Sequence, residues 1–120
     1  MTDIARLAAL VACALAVVLV VAPAASAAGG GHPCGRTEAT DKNGDTAKFK
    51  VKQYDTGCQR AERGVRRYYR QTNGERGRRI VIRGYRCGPL QAFDRGELAF
   101  QCRKTGQPAK RYKAFWISKN

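Results

Sequence analysis

Residues 56–74, TGCQRAERGVRRYYRQTNG, separate apolar from basic side chains at the spacing of an α-helix. At about 100° per residue, one arc collects the less polar side chains of Cys58, Ala61, Val65, Tyr68 and Tyr69. The opposite arc collects Arg60, Arg63, Arg66, Arg67 and Arg70. An amphipathic helix has to bury its apolar side against a second layer, so this stretch predicts a packing partner as well as a helix.

Both ends of this helix carry sequence signals. Thr56 is followed three residues later by Gln59, a spacing that predicts a capping box with Thr56 as the N-cap residue. Asn73 and Gly74 predict the end of the helix, because glycine readily adopts the left-handed conformation that terminates helices. Gly64 costs the helix up to about 1 kcal/mol relative to alanine, which indicates that another element packs closely against it.

Three stretches outside the helix alternate in the manner of β-strands. Residues 47–52 alternate apolar residues with lysine, so Phe49 and Val51 share one face and the other face carries Lys48, Lys50 and Lys52. Two later stretches have aligned apolar residues at Leu98, Phe100 and Cys102 and then at Tyr112, Ala114 and Trp116. Each is predicted to be a half-buried strand.

Residues 78–87 are also rich in β-forming residues, but their alternation breaks in the middle. Ile80 and Ile82 have a parity that Tyr85 and Cys87 do not share. A β-bulge at Gly84 would bring both groups to the same face. With this strand the element order is β-α-β-β-β, which predicts an α+β fold with one amphipathic helix packed on a small antiparallel sheet.

The chain begins with the pattern of a cleavable secretory signal peptide, predicted for residues 1–28. Arg6 precedes an apolar run over residues 7–21, and small residues that follow place the cleavage near Ala27 or Ala28. An uncleaved membrane anchor is the alternative, but the apolar run is shorter than the roughly 20 residues that a spanning helix prefers. We therefore expect a secreted, extracellular protein.

Removal of the peptide leaves one small domain with an even number of cysteines. We expect a flexible N-terminal segment over residues 29–45 and a disulfide-stabilised α+β domain over residues 46–120. Cys13 leaves with the peptide, and an oxidising compartment favours two disulfides among Cys34, Cys58, Cys87 and Cys102. Three pairings are formally possible. We prefer Cys34 with Cys58, which ties the N-terminal segment to the helix, and Cys87 with Cys102, which joins neighbouring strands.

Three motifs stand out in this domain: CQRA at residues 58–61, GYRC at residues 84–87 and FQCRK at residues 100–104. In these motifs the chain resembles a family of small secreted actinobacterial proteins of unassigned function. The resemblance covers residues 55–117, and the loop over residues 88–96 differs from the more basic linker of the family. The resemblance implies export and a cystine-held fold, and it implies no activity.

The net charge of the chain is +14, and the mature domain keeps it because Arg6 and Asp3 of the signal peptide cancel. A positive field of this strength favours encounters with anionic polymers and surfaces. Arginine side chains match the geometry of phosphate and carboxylate oxygens. We therefore predict an anion-binding face made of Arg60, Arg63, Arg66, Arg67 and Arg70 and extended by Lys48, Lys50 and Lys52.

The partners that this face predicts are anionic cell-envelope or extracellular polymers, or a membrane surface. No physiological nucleic acid is expected outside the cell. The competing interpretation is that the arginines are simply solvated and that the charge reflects overall composition. A second function class is a secreted inhibitor or interaction module that presents the loop over residues 88–97 to a protein partner.

Catalysis is not predicted. His32 is the only histidine and lies in the N-terminal segment, and disulfides would leave no thiolate nucleophile among the mature cysteines. The two loop carboxylates Asp94 and Glu97 are the best candidates in the sequence for a catalytic carboxylate pair. No C-x-x-C pair is present, so we expect no metal site, and we expect a monomer without a cofactor.

Overall fold

The computed structural model describes residues 30–120, and the predicted signal peptide lies outside the described residues. One helix packs on a six-stranded sheet in which all paired strands are antiparallel. The elements in chain order are β1 His32–Thr40, β2 Thr46–Tyr54, α1 Cys58–Thr72, β3 Ile80–Ile82, β4 Tyr85–Cys87, β5 Leu98–Lys104 and β6 Gln107–Lys119. Within the sheet the order is β1-β2-β6-β5-β4-β3. The predicted architecture of one helix on an antiparallel sheet is confirmed.

The predicted order β-α-β-β-β is wrong in two places, and the first is the N-terminal segment. Much of the segment predicted to be flexible, residues 29–45, forms β1, which pairs along β2 from His32 opposite Gln53 to Thr40 opposite Thr46. β1 is an edge strand with small inward side chains, such as Ala39. It therefore lacks the alternation of large apolar residues that identifies a half-buried strand.

The second place is the stretch over residues 78–87, which forms two strands rather than one. Ile82 pairs with Tyr85, so Arg83 and Gly84 make a two-residue turn. Both turn residues have positive φ, 49° at Arg83 and 84° at Gly84, as a type I′ hairpin turn requires. The bulge predicted at Gly84 is wrong. The turn has the same effect on parity, because directly paired residues of a hairpin share a face.

The core lies between α1 and one face of the sheet and is rich in aromatic side chains. Tyr68 stacks on Phe100 with ring centroids 4.2 Å apart, and Phe49 meets Tyr69 edge-on at 5.6 Å. Most apolar residues that the strand patterns placed together, including Val51, are buried. Leu98 is only half-buried, because the pairing register of β5 shifts between Leu98 and Phe100, so its predicted alignment with Phe100 is wrong. Large buried aromatic side chains contribute most of the apolar area that such a small core removes from water.

The predicted capping box at the start of α1 is wrong. The helix begins at Cys58, with Gly57 as the N-cap residue at φ 94° and no side-chain cap bond. The side-chain oxygen of Gln53 instead accepts hydrogen bonds from the backbone amides of Thr56, at 2.8 Å, and Gly57, at 2.7 Å. A residue of β2 therefore fixes the entry into the helix, and the Thr56 hydroxyl is free to contact the Tyr85 hydroxyl at 3.2 Å.

The helix ends where predicted: Asn73 is the left-handed C-cap residue, at φ 55°, and Gly74 after it also has a positive φ, 67°. The side-chain oxygen of Asn73 accepts a hydrogen bond of 2.9 Å from the backbone amide of Lys42. Lys42 lies in the turn between β1 and β2. This bond joins the end of α1 to the turn at the edge of the sheet.

Two disulfides brace the domain, and they join the preferred partners. Cys34–Cys58 connects β1 to the first residue of α1. Cys87–Cys102 connects residues that lie directly opposite one another on β4 and β5. The first disulfide therefore holds the start of α1 to the edge strand β1, and the second links two neighbouring strands of the sheet.

Candidate anion-binding site

The five predicted arginines all lie on α1, but they do not form one site. Arg60, Arg63, Arg66 and Arg70 are exposed, whereas Arg67 is half-buried. Arg60, Arg63 and Arg67 line a cavity beside the hairpin of β3 and β4, and Arg66 and Arg70 do not line it. The structure therefore divides the predicted set into three cavity arginines and two that lie outside the cavity.

We call this cavity the arginine cleft. Its volume is about 220 Å³, and its lining consists of Arg60, Arg63, Gly64, Arg67, Ile82, Arg83, Tyr85 and Tyr112. The fourth arginine, Arg83, comes from the hairpin turn and lines the cavity together with the three arginines of the helix. Sites for drug-sized ligands occupy roughly 300–1,000 Å³. The arginine cleft is smaller and has room for one small charged group.

Gly64 allows the floor of the cleft to form. A side-chain carbon at this position would overlap the Tyr112 hydroxyl. Glycine therefore lets the tyrosine of β6 approach the helix backbone, and the prediction that an element packs closely against Gly64 is confirmed. Tyr112 is buried, with 1% of its surface exposed. Its ring and that of Tyr85, 5.3 Å apart between centroids, close the cleft from below.

No carboxylate of residues 30–120 lines the arginine cleft. Among residues 30–120 the one ion pair joins Arg78 to Glu75 at 2.8 Å, and neither residue lines the cleft. The guanidinium groups of the cleft are therefore not neutralised by the protein itself. Guanidinium groups make charge-assisted and often bidentate hydrogen bonds to oxyanions, so the cleft is suited to bind a phosphate, sulfate or carboxylate group.

The tyrosine floor adds a neutral polar group. Burial raises the pKa of Tyr112, the neighbouring Tyr85 raises it further, and Arg60 and Arg67 act in the opposite direction. Because the net pKa shift is upward, the phenol keeps its proton at neutral pH. A protonated phenol donates a hydrogen bond and adds no negative charge that would oppose a bound anion.

The three lysines predicted to extend the arginine face lie elsewhere. Phe49 and Val51 are buried beneath α1, so Lys48, Lys50 and Lys52 project from the opposite face of the sheet. The predicted extension is wrong because the helix and the strand turn their apolar sides toward each other. Their basic sides consequently point in opposite directions, with the sheet between them.

The loop over residues 88–97 is tied to β6. Residues 91–97 are exposed, whereas Leu90 is buried. The amide of Gly96 donates a hydrogen bond of 2.8 Å to the Trp116 carbonyl, and the Phe93 ring meets the Trp116 ring edge-on at 5.4 Å. Phe93 is nevertheless 45% exposed. The loop therefore displays one large apolar side chain from an anchored base.

Sequence reasoning did not include Arg83 or Tyr112 in the site. The signal for Arg83 was its position before Gly84, since an X-Gly pair between two short β-rich runs also fits a hairpin turn. Tyr112 was predicted correctly as a core residue. Its second role as the floor of the cleft depends on the approach of β6 to Gly64, which no local pattern reveals.

No protein-family model, curated protein or solved structure matches this chain. Within the part of the chain that the structure describes, no group of three or more His, Cys, Asp and Glu residues is arranged to hold a metal ion. In the same range no helix is long and apolar enough to cross a membrane. A functional assignment therefore depends on the geometry and charge of the arginine cleft.

Proposed function

We propose that the protein is a secreted, non-catalytic binding protein for anionic polymers of the cell envelope or extracellular medium. In this proposal the arginine cleft holds one anionic group of the polymer. The observation that carries the proposal is the convergence of four arginines, from a helix and from a hairpin turn, on one cavity without a carboxylate. Such a cluster of like charges is favourable only when an anion lies among them.

A polymer fits the surroundings of the cleft better than an isolated anion does. Arg70 lies three residues beyond Arg67 on α1, which is roughly 4.5 Å along the helix axis. Arg66 adds a further exposed cation to the same helix. A chain with repeated negative groups can therefore place one group in the cleft and its neighbours along the helix, which a single small anion cannot do.

The groups that line the cleft support binding rather than proton transfer. A guanidinium group stays protonated in proteins, and the raised pKa of Tyr112 keeps its phenol neutral. None of these groups takes up a proton near neutral pH, as a general base must. The lining therefore stabilises negative charge without a residue that would activate a nucleophile.

Two variants with equal net charge test the proposal. The cleft variant replaces Arg60, Arg63, Arg67 and Arg83 with glutamine, and the dispersed control replaces four exposed cations elsewhere, Lys42, Arg76, Arg79 and Lys119, with glutamine. Fluorescence anisotropy with a labelled short polyphosphate at physiological ionic strength measures affinity. We expect the cleft variant to bind at least about tenfold more weakly than the dispersed control.

Equal losses of affinity in the two variants would show that binding follows net charge alone, and the site assignment would then be wrong. Vesicles rich in an anionic phospholipid provide the other arm of the experiment. A membrane surface is the better partner if vesicles bind more tightly than the polymer and if the cleft variant binds them as well as the dispersed control does.

Mass spectrometry tests whether the protein is exported and its signal peptide is removed. We expect the protein recovered from the culture medium to begin after Ala27 or Ala28. The mass of the protein treated with a thiol reagent should rise only after reduction, because the four remaining cysteines are paired. A full-length product with reactive thiols would contradict the proposal of a secreted protein.

The alternative proposal, an interaction module that acts through the loop over residues 88–97, makes a different prediction. The exposed ring of Phe93 is the observation that favours it. Replacing Phe93 with alanine should leave polyphosphate affinity unchanged if the cleft is the functional site. A loss of affinity comparable to that of the cleft variant would indicate that the loop, and not the arginine cleft, is the binding site.

A further inference from the structure

The face of the sheet opposite α1 carries an uncovered array of cations, which we call the basic sheet face. It consists of Arg36, Lys48, Lys50, Lys52, Arg86, Arg103, Arg111 and Lys113, each of which is adjacent on its strand to at least one buried residue. Glu38, opposite Lys48, is the one carboxylate among their cross-strand partners. The described structure therefore has a second strongly positive surface besides the arginine cleft.

The cations of this face lie directly opposite one another on neighbouring strands. Arg86 is the partner of Arg103, and Arg103 is the partner of Arg111. Lys52 is likewise the partner of Lys113. Like charges in directly opposed positions destabilise a sheet. The array therefore works against folding, and a bound polyanion would remove this repulsion.

The Tyr54 ring contacts three of the cations on the basic sheet face. The guanidinium of Arg111 lies 3.9 Å from the centroid of the Tyr54 ring, with the ammonium groups of Lys113 at 5.3 Å and Lys52 at 5.8 Å. Contacts between cations and an aromatic ring hold the three side chains without cancelling their charge. The positive potential of the face is thus preserved.

A groove on this face indicates the shape of the ligand. It has a volume of about 580 Å³, and its lining includes Arg36, Lys50, Lys52, Arg95, Phe115 and Ile117. In the described part of the chain no carboxylate lines it. Phe115 and Ile117 are half-buried and contribute apolar surface beneath a cationic rim. A concave groove fits one strand of a polymer better than it fits a flat membrane surface.

We infer that the basic sheet face binds a second strand of anionic polymer, so that one domain cross-links two strands. The inference rests on the proposed function of the arginine cleft. The sheet lies between the two surfaces, and α1 covers the inner face of the sheet. A strand in the cleft and a strand in the groove are therefore held on opposite sides of one disulfide-braced body.

The test compares single-strand binding with cross-linking. A sheet-face variant replaces Arg36, Lys50, Lys52 and Lys113 with glutamine, which removes the same charge as the cleft variant and the dispersed control. Anisotropy of a labelled short polyphosphate titrated with protein measures single-strand binding, and light scattering with a long polyphosphate measures cross-linking. Circular dichroism checks folding, and we expect the sheet-face variant to melt at a higher temperature than the dispersed control because like-charge repulsion is relieved.

We expect the wild type and the dispersed control to cross-link long polyphosphate. The sheet-face variant should keep short-chain affinity within about twofold of the dispersed control and lose about tenfold in scattering. Equal scattering by the sheet-face variant and the dispersed control would overturn the inference, because cross-linking would then reflect net charge. The cleft variant could keep its affinity for short polyphosphate while only the sheet-face variant loses cross-linking. In that case the proposed function of the cleft is wrong, and the sheet face alone is the polymer-binding site.

Discussion

The arginine cleft and the basic sheet face are both cationic, but they are built in different ways. The cleft brings together side chains from α1, the β3–β4 turn and β6 around about 220 Å³. The sheet face sets its cations in rows at the spacing of paired strands, beside an open groove of about 580 Å³. The cleft offers directed hydrogen bonds to one group, whereas the sheet face acts through the summed field of many. Only the cleft depends on the packing of the helix against the sheet.

The disulfides give the largest expected effects and can separate the two surfaces. Cys34–Cys58 spans 24 residues and Cys87–Cys102 spans 15, so replacing either pair with alanine should lower the free energy of unfolding by about 3 kcal/mol on the chain-entropy model. Arg60 follows Cys58 by two residues, so loss of the first disulfide should also weaken short polyphosphate binding at the cleft.

Denaturant unfolding and anisotropy on the same samples provide the measurement. The variant that lacks Cys87 and Cys102 is the comparison for stability, because its broken link lies within the sheet rather than at the start of α1. Binding is compared with the wild type. A loss of less than about 1 kcal/mol for both pairs would show that the disulfides are not the main restraint on this small core.

A single methyl group at Gly64 should disturb the cleft and leave the sheet face intact. Gly64→Ala raises helix propensity by up to about 1 kcal/mol, but it places a carbon against Tyr112. Overpacking of this kind costs about 1–3 kcal/mol, so we expect a net loss of stability together with weaker binding at the cleft.

Gly31→Ala is the matched control beside the sheet face. An added carbon there would meet the Tyr54 ring and the Lys52 side chain, both of which are half-exposed and able to move. Thermal unfolding should therefore show a smaller loss for Gly31→Ala than for Gly64→Ala. A more stable Gly64→Ala variant would mean that Tyr112 does not pack against the helix as described.

The same contrast explains what the sequence could predict. Periodicity identified α1 and the inward faces of β2 and β6, because each of these depends on the spacing of residues along one element. The disulfide partners were preferred because of the elements that they would join, and the structure contains both preferred pairs. β1 was missed because an edge strand with inward Thr37 and Ala39 has no large apolar alternation. The cleft was predicted only in part, because Arg83 and Tyr112 join the helix arginines through tertiary packing.

The sequence pattern already indicated that the lysines and the arginines lie on opposite sides of the molecule. Phe49 and Val51 alternate with Lys48 and Lys50, just as the apolar arc of α1 opposes its arginines. Two amphipathic elements that bury their apolar sides against each other must present their basic sides in opposite directions. The prediction of one continuous basic face was wrong because it did not consider how the two layers pack.

Alkaline pH tests the buried tyrosines on the helix side of the molecule. Burial raises the pKa of Tyr68 to about 12 and also raises the pKa of Tyr112. The protonated phenols stabilise the folded state fully below the pKa of about 10 of an unfolded tyrosine, and this contribution is lost as the pH rises through the folded-state pKa.

We therefore expect the free energy of unfolding to fall from pH about 10 toward pH about 12, with Tyr112→Phe less sensitive than the wild type. Absorbance of the phenolate should rise in step with unfolding, which circular dichroism records. Full ionisation of every tyrosine near pH 10 in a protein that remains folded would contradict the burial of these rings.

Backbone amide chemical shifts during a titration with pyrophosphate show whether the arginine cleft is a defined anion site. We expect saturable shifts that fit one dissociation constant and that centre on Gly64, Arg83 and Gly84. The cleft variant should lose these shifts, and the dispersed control should keep them. Shifts spread evenly over the basic residues of both faces, without saturation, would contradict a defined anion site in the arginine cleft.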